Sequence, residues 1–176
     1  DALGVWLPFL FYKMKQIPLS QGLFALVDDE DFEYLNQFKW SARKSKNTYY
    51  ALRNSCGKNN KKRFIVFMHR VVLELNDLEI KGDHIDGNGL NNQRYNLRPS
   101  TNSENARNAK PSNNKSSKYK GVSLKKEHSS KKWCARIKFN GKQIHIGYFE
   151  CEIHAALAYD KKAKELFGEF AYLNFK

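Results

Sequence analysis

The chain has 176 residues, enough for one domain or two small ones. Its 31 Lys and Arg against 18 Asp and Glu give a formal charge of +13 and a pI near 9.6, so a polyanionic partner is expected, nucleic acid being the commonest. Cys56, Cys134 and Cys151 stand far apart with no CxxC pair, which argues against a disulfide framework or a zinc knuckle and for a reducing, cytoplasmic setting.

The basic residues are interleaved with Tyr, Phe and Trp rather than set on an amphipathic helix, which favours nucleic acid over a membrane surface. Residues 1–13, DALGVWLPFLFYK, lack a basic n-region and a small-residue cleavage site and are too short to span a bilayer. Met14 reads as the natural start. Residues 1–13 then read as an upstream or cloning-derived extension, the alternative being an N-terminal strand that packs on the body.

Residues 14–76 read as a β-rich platform. Gly22–Val27 alternates loosely and predicts a strand. Asp28–Glu33 is acidic and precedes Tyr34, Leu35 and Phe38, which predicts a short helix with its acids near the positive end of the dipole. Lys39–Arg43 and Thr48–Arg53 are strand-like around a turn at Lys44-Ser45-Lys46-Asn47. Phe64–Met68 reads as a further strand and His69–Leu75 as a helix. His69 has two readings, a phosphate contact near a cleft or a residue that packs locally.

The stretch Asp83–Asn105, DHIDGNGLNNQRYNLRPSTNSEN, carries chemistry. Lys81–Ile85 predicts a short strand ending at the adjacent pair Asp83-His84. Asp86-Gly87-Asn88-Gly89 is a turn signal, because Gly and Asn tolerate positive φ. It lacks the alternating acids and terminal Glu of a calcium loop. Leu97-Arg98 reads as a second strand. Thr101 with Glu104 is a capping-box pattern and predicts a helix that includes Asn105. Asp83 is a hard oxygen ligand suited to magnesium, and His84 can accept a proton near neutral pH. Asn96 can hold an imidazole in one tautomer, and Asn105 offers a neutral oxygen ligand.

These residues resemble the ββα-metal (HNH) nuclease motif of the phage and intron-homing kind. The resemblance implies that Asp83 and Asn105 hold one magnesium or manganese ion, that His84 is the general base, and that Asn96 orients it. Many relatives have His where this chain has Asn105, and an Asn favours magnesium or manganese over a softer metal such as zinc. The Met68-His69-Arg70 step also resembles the leader region of such proteins. His69, Arg70 and Arg98 are candidate phosphate contacts.

After Ala106 the apolar residues thin out, and residues 111–118 read as a basic linker lying along a phosphate backbone, or as a plain solvated loop. Tyr119–Leu124, Lys131–Phe139 and Lys142–Phe149 then predict three strands. Their turns are Glu127–Ser130 and Asn140-Gly141, the latter a strong hairpin signal. Glu150–Phe167 predicts a helix, with Ile153, Ala156, Leu157, Tyr159, Ala163 and Leu166 recurring at helical spacing. Gly168 ends it. Alternation sets Trp133, Ala135 and Ile137 on one face and Lys132, Cys134, Arg136 and Lys138 on the other.

Residues 119–175 resemble the Apetala-two/ethylene-response-factor DNA-binding domain. The match runs through Tyr119-Lys120-Gly121-Val122, Ala135-Arg136-Ile137, Ile144-His145-Ile146-Gly147, Ala158-Tyr159-Asp160 and Leu173-Asn174-Phe175. It implies a three-stranded sheet in the DNA major groove, with contacts from Lys120, Ser123, Trp133, Arg136, Lys138 and His145. Ser123, Arg136 and His145 depart from the plant pattern of Arg, Glu and Trp, so no plant target sequence carries over.

The expectation is an α+β chain: a ββα-metal nuclease domain over 14–110, a linker over 111–118, and a three-stranded antiparallel sheet packed on one helix over 119–176. The expected activity is metal-dependent, site-directed cleavage of double-stranded DNA, homing-type, in a bacterial or phage-infected cell. No membrane and no protein partner is implied, and one active site per chain fits a monomer or a dimer. The alternatives are a DNA-binding regulator that does not cut, and cleavage of RNA, which the groove-reading domain disfavours.

Overall fold

A computed structural model describes residues 14–45, 47–56, 63–111, 116–125 and 132–175. The predicted extension 1–13, the turn at Glu127–Ser130 and parts of the Lys44–Asn47 turn and of the linker lie outside the described residues. The chain is mixed α/β, with small antiparallel sheets and a C-terminal helix. It divides into two compact units. One comprises residues up to Asn76 with Asn88–Arg98, the other Asp77–Gly87 with Pro99 onward.

In the first unit, β1 (Met14–Pro18) pairs antiparallel with β2 (Phe24–Asp28), and α1 (Asp29–Leu35) follows directly. Its first turn holds Asp29, Glu30 and Asp31, as the acidic run predicted. β3 (Ser41–Lys44), β4 (Tyr49–Cys56) and β5 (Arg63–Phe67) form an antiparallel sheet, and α2 (Met68–Val72) ends early. The predicted helix to Leu75 stops because Glu74 turns to positive φ, while the Arg70 guanidinium donates to the Leu75 carbonyl at 3.0 Å. Ile17, Val27, Leu35, Trp40, Met68 and Leu97 form the core. The Trp40 indole N–H stays satisfied by donating to the Leu35 carbonyl at 2.8 Å.

The Asn-rich stretch after Gly89 is more than a turn. Leu26 N–H donates to the Leu90 carbonyl and Asn92 N–H to the Leu26 carbonyl, each at 2.8 Å. Asp28 is buried and accepts from the Gln93 amide (3.0 Å) and the Arg94 N–H (2.7 Å). Asn91, Asn92 and Gln93 are therefore buried polar residues that tie the loop to β2. The Arg94 guanidinium bonds Asp31, which together with Glu30 raises its pKa further.

In the second unit, β6 (Lys81–His84) pairs with β7 (Leu97–Ser100), whose last two residues belong to this unit. The Ser100 hydroxyl donates to the Lys81 carbonyl at 3.4 Å. α3 (Asn102–Asn108) follows with the predicted capping box complete: Glu104 N–H donates to the Thr101 hydroxyl, and Thr101 N–H to the Glu104 carboxylate at 2.8 Å.

β8 (Val122–Leu124), β9 (Trp133–Phe139) and β10 (Lys142–Phe149) form an antiparallel sheet in the order β10-β9-β8, and α4 (Glu152–Phe167) packs on it. Asn140 and Gly141 both have positive φ, as a primed hairpin turn requires. β8 begins later than predicted. Gly121 at φ +77 bends the chain, and a Cβ there would strike the Tyr159 ring and the Arg136 carbonyl. Val122, Ala135 and Ile137 face α4 and bury Ala155, Ala156, Tyr159 and Ala163 with them.

Candidate active site and nucleic-acid face

β6 ends at the adjacent residues Asp83 and His84, which are 4% and 5% exposed. The His84 carbonyl accepts from Gly87 N–H at 2.8 Å, closing a tight turn directly after it. Gly87 has φ +69, and a Cβ there would meet the Lys110 side chain, so a lysine stem lies over this turn.

Across from the pair stands α3. Its Asn108 amide nitrogen donates to both Asp83 carboxylate oxygens at 3.1 Å and to the His84 carbonyl at 3.0 Å. One side chain thus fixes the rotamer of the carboxylate and the strand end that carries the histidine. Asn105 lies one turn earlier, at the i−3 position that shares a helix face with Asn108. Sequence reasoning named Asn105 as the ligand on this helix and did not name Asn108. Its signal was present, since a helix that presents Asn105 to Asp83 also presents the residue three positions on.

Asp83 and the α3 asparagines are residue types that could hold a divalent ion. Among the described residues no three His, Cys, Asp or Glu side chains gather as metal ligands. Asp83 with the amide oxygens of α3 would supply hard, mostly neutral donors, as suits magnesium or manganese and not zinc.

Asn96 belongs to the other unit. It is 2% exposed and donates its amide to the Asn91 carbonyl at 2.8 Å, so its side chain is held rigidly. His69 is buried beside the rings of Tyr50 and Phe67, with centroids 5.9 and 5.4 Å away. Arg70 caps the end of α2 as described, and Arg98 is buried on β7.

On the C-terminal sheet the register sets Ser123 beside Cys134, Arg136 beside His145 and Lys138 beside Gln143. These residues share the face opposite α4. Arg136 donates through Nε to the Cys134 sulfur at 3.2 Å, and this bond, with Tyr148, raises its pKa further. The Cys134 sulfur also lies 3.6 Å from His145 Nε2, and the His145 ring meets that of Tyr148 at a tilt, with centroids 4.6 Å apart. The guanidinium is therefore held in place on the sheet. Trp133 falls on the other face and packs with Val122, Ala135 and Phe149. The Lys120 ammonium donates to the Ala109 carbonyl at 2.7 Å and also to that of Arg107.

No protein-family model matches this sequence. An HNH endonuclease of Acanthamoeba polyphaga mimivirus, itself described as uncharacterized, is 36% identical over 156 residues, covering 88% of this chain and 76% of that protein. This chain belongs to the HNH endonucleases. As an HNH endonuclease it is a hydrolase of phosphodiester bonds, and the likeness extends well beyond the length of the Asp83–Asn105 stretch. No described helix of this HNH endonuclease is long and apolar enough to cross a membrane.

Proposed function

We propose that this HNH endonuclease is a metal-dependent, site-directed cutter of double-stranded DNA, of the homing kind, with Asp83 and His84 at its centre. The observation that carries the reading is the buried Asp83-His84 strand end, locked by an asparagine of the following helix. Asp83 and Asn105 hold one magnesium or manganese ion. When bound, that ion supplies Lewis-acid stabilisation of charge on the scissile phosphate and the leaving oxygen. His84 takes a proton from the attacking water through its imidazole. Asn96 holds that imidazole in the productive tautomer, and Asn108 keeps the Asp83 carboxylate turned toward the helix. The order strand, loop, strand, helix over β6, β7 and α3 supports a ββα-metal arrangement.

Targeting belongs to the C-terminal sheet, read as a domain of the Apetala-two/ethylene-response-factor kind over 119–176, joined by 111–118 to a nuclease domain over 14–110. The charged face opposite α4, with Ser123, Arg136, Lys138 and His145, suits a major groove. A guanidinium already braced by Cys134 loses less side-chain freedom on meeting a guanine edge. The net charge of +13 supplies the general attraction to phosphate.

The test is incubation with supercoiled plasmid in magnesium, with EDTA and Asp83→Ala as controls. Nicked or linear product that needs both the metal and Asp83 is expected. Binding without any cutting would instead favour a DNA-binding regulator, and cutting that survives EDTA would remove the metal from the account.

A further inference from the structure

α3 is short for the task it carries. Its residues Asn102–Asn108 make about two turns, and an isolated helix of that length is marginal in water. The capping box secures its N-terminus. Its C-terminus has no glycine cap: Ala109 leaves the helix at φ −59 and ψ 136. The last carbonyls of such a helix need donors from elsewhere, and they sit at the negative end of its dipole.

Lys120 fills that place. Its ammonium donates to the carbonyls of Arg107 and Ala109, and it lies 5.2 Å from the centre of the Tyr172 ring. The lysine backbone is itself fixed. Its N–H donates to the Asn174 side-chain oxygen at 2.7 Å, the Asn174 amide returns a bond to its carbonyl at 3.2 Å, and the buried Asp160 accepts from Asn174 at 2.9 Å. From the other side, the Arg107 guanidinium lies 4.9 Å from the centre of the Phe167 ring on α4.

We propose that Lys120 is a positioning residue for the nuclease reaction: by holding the C-terminus of α3 it sets Asn105 and Asn108 against Asp83. The C-terminal sheet is then part of the scaffold of the active site as well as a candidate reader of DNA. Two of the three ammonium protons are already committed, so phosphate is not the partner this geometry selects. The inference rests on the metal-site reading above, and its test separates the two.

The experiment uses the full chain with Lys120→Met, which keeps most of the apolar stem and removes the donors, and with Lys120→Arg, which restores donors and charge. Amide hydrogen exchange over residues 102–110, without metal or DNA, is measured first. Faster exchange is expected in Lys120→Met and recovery in Lys120→Arg, and unchanged exchange in Lys120→Met overturns the proposal. Manganese binding is then expected to weaken about 10-fold or more, as for other outer-shell losses. DNA affinity in EDTA, and its salt slope, are expected to stay within about twofold. Unchanged exchange with a salt slope reduced by about 1 would instead identify a plain phosphate contact and refute the clamp. If Asp83→Ala leaves manganese binding intact, the metal site is misplaced, while the exchange result still decides the role of Lys120.

Discussion

Asn108 and Asn96 are both asparagines of the proposed site, and each carries its own prediction. Asn108 grips both oxygens of Asp83 and the backbone of His84. Its removal frees the carboxylate to rotate, so Asn108→Ala should lower cleavage about 10–100-fold. Part of that loss should be recovered at higher magnesium, because the ligand itself remains. A magnesium titration of cleavage checks this, and a variant indistinguishable from wild type at every concentration would contradict it. Asn96 is buried and donates to the Asn91 carbonyl, and the proposal gives it the orienting of His84. Asn96→Ala should slow cleavage less than His84→Ala and leave the magnesium requirement unchanged. Damage equal to that of His84→Ala would give Asn96 a direct part in the chemistry.

The elements that frame the C-terminal sheet depend on one close approach. At Gly121 the chain is at φ +77 and the Tyr159 ring fills the space a side chain would need. Gly121→Ala combines overpacking, about 1–3 kcal/mol, with a left-handed backbone cost of about 1–2 kcal/mol. Urea denaturation followed by Trp133 fluorescence should show a loss of that order, and a loss below 1 kcal/mol would mean that α4 moves aside freely. Burial, and secondarily Asp160, pushes the Tyr159 hydroxyl from 10.0 up to about 12. A raised acid favours the folded state only while protonated. Stability should therefore hold below about pH 10 and fall as pH rises toward 12, by roughly 2–3 kcal/mol at most. Tyr159→Phe should flatten that alkaline limb. These elements also mark how far the sequence could be read. β10 and α4 are long and periodic, and their extents were legible nearly to the residue, but Ile153 and Leu157, expected to face the sheet, are exposed and Ala155 is buried instead. The Thr101–Glu104 box located the start of α3 because capping is local chemistry. β1 escaped because Met14–Pro18 has no clear alternation, and its pairing with β2 is what makes it a strand. The buried Asn91–Gln93 segment looked like turn composition, since its partner Asp28 lies far away in sequence. The Lys120 bonds were invisible for the same reason, whereas Asn108 could have been found from its i+3 spacing to Asn105.

At the scale of the molecule, a basic HNH endonuclease carries the Asp83-His84 strand end and the C-terminal three-stranded sheet in the same compact unit. Residues 117–176 carry their own core around Ala135, Ile137 and Tyr159, and should fold alone and bind DNA without metal. Their affinity should fall steeply with salt as counterions are released, and Arg136→Ala should narrow the gap between target and random duplex by about 1–3 kcal/mol. A uniform loss on all sequences in mobility-shift assays would make Arg136 a phosphate contact instead. The central claim is that Asp83-His84 is the reacting centre of a DNA-cutting enzyme, and its most direct test is His84→Ala in the full chain, with binding and plasmid cleavage measured side by side in magnesium. The base acts in the chemical step and contributes little of the charge that holds DNA, so the account predicts unchanged mobility shift with cleavage lowered at least about 100-fold. Cleavage at the wild-type rate would contradict it.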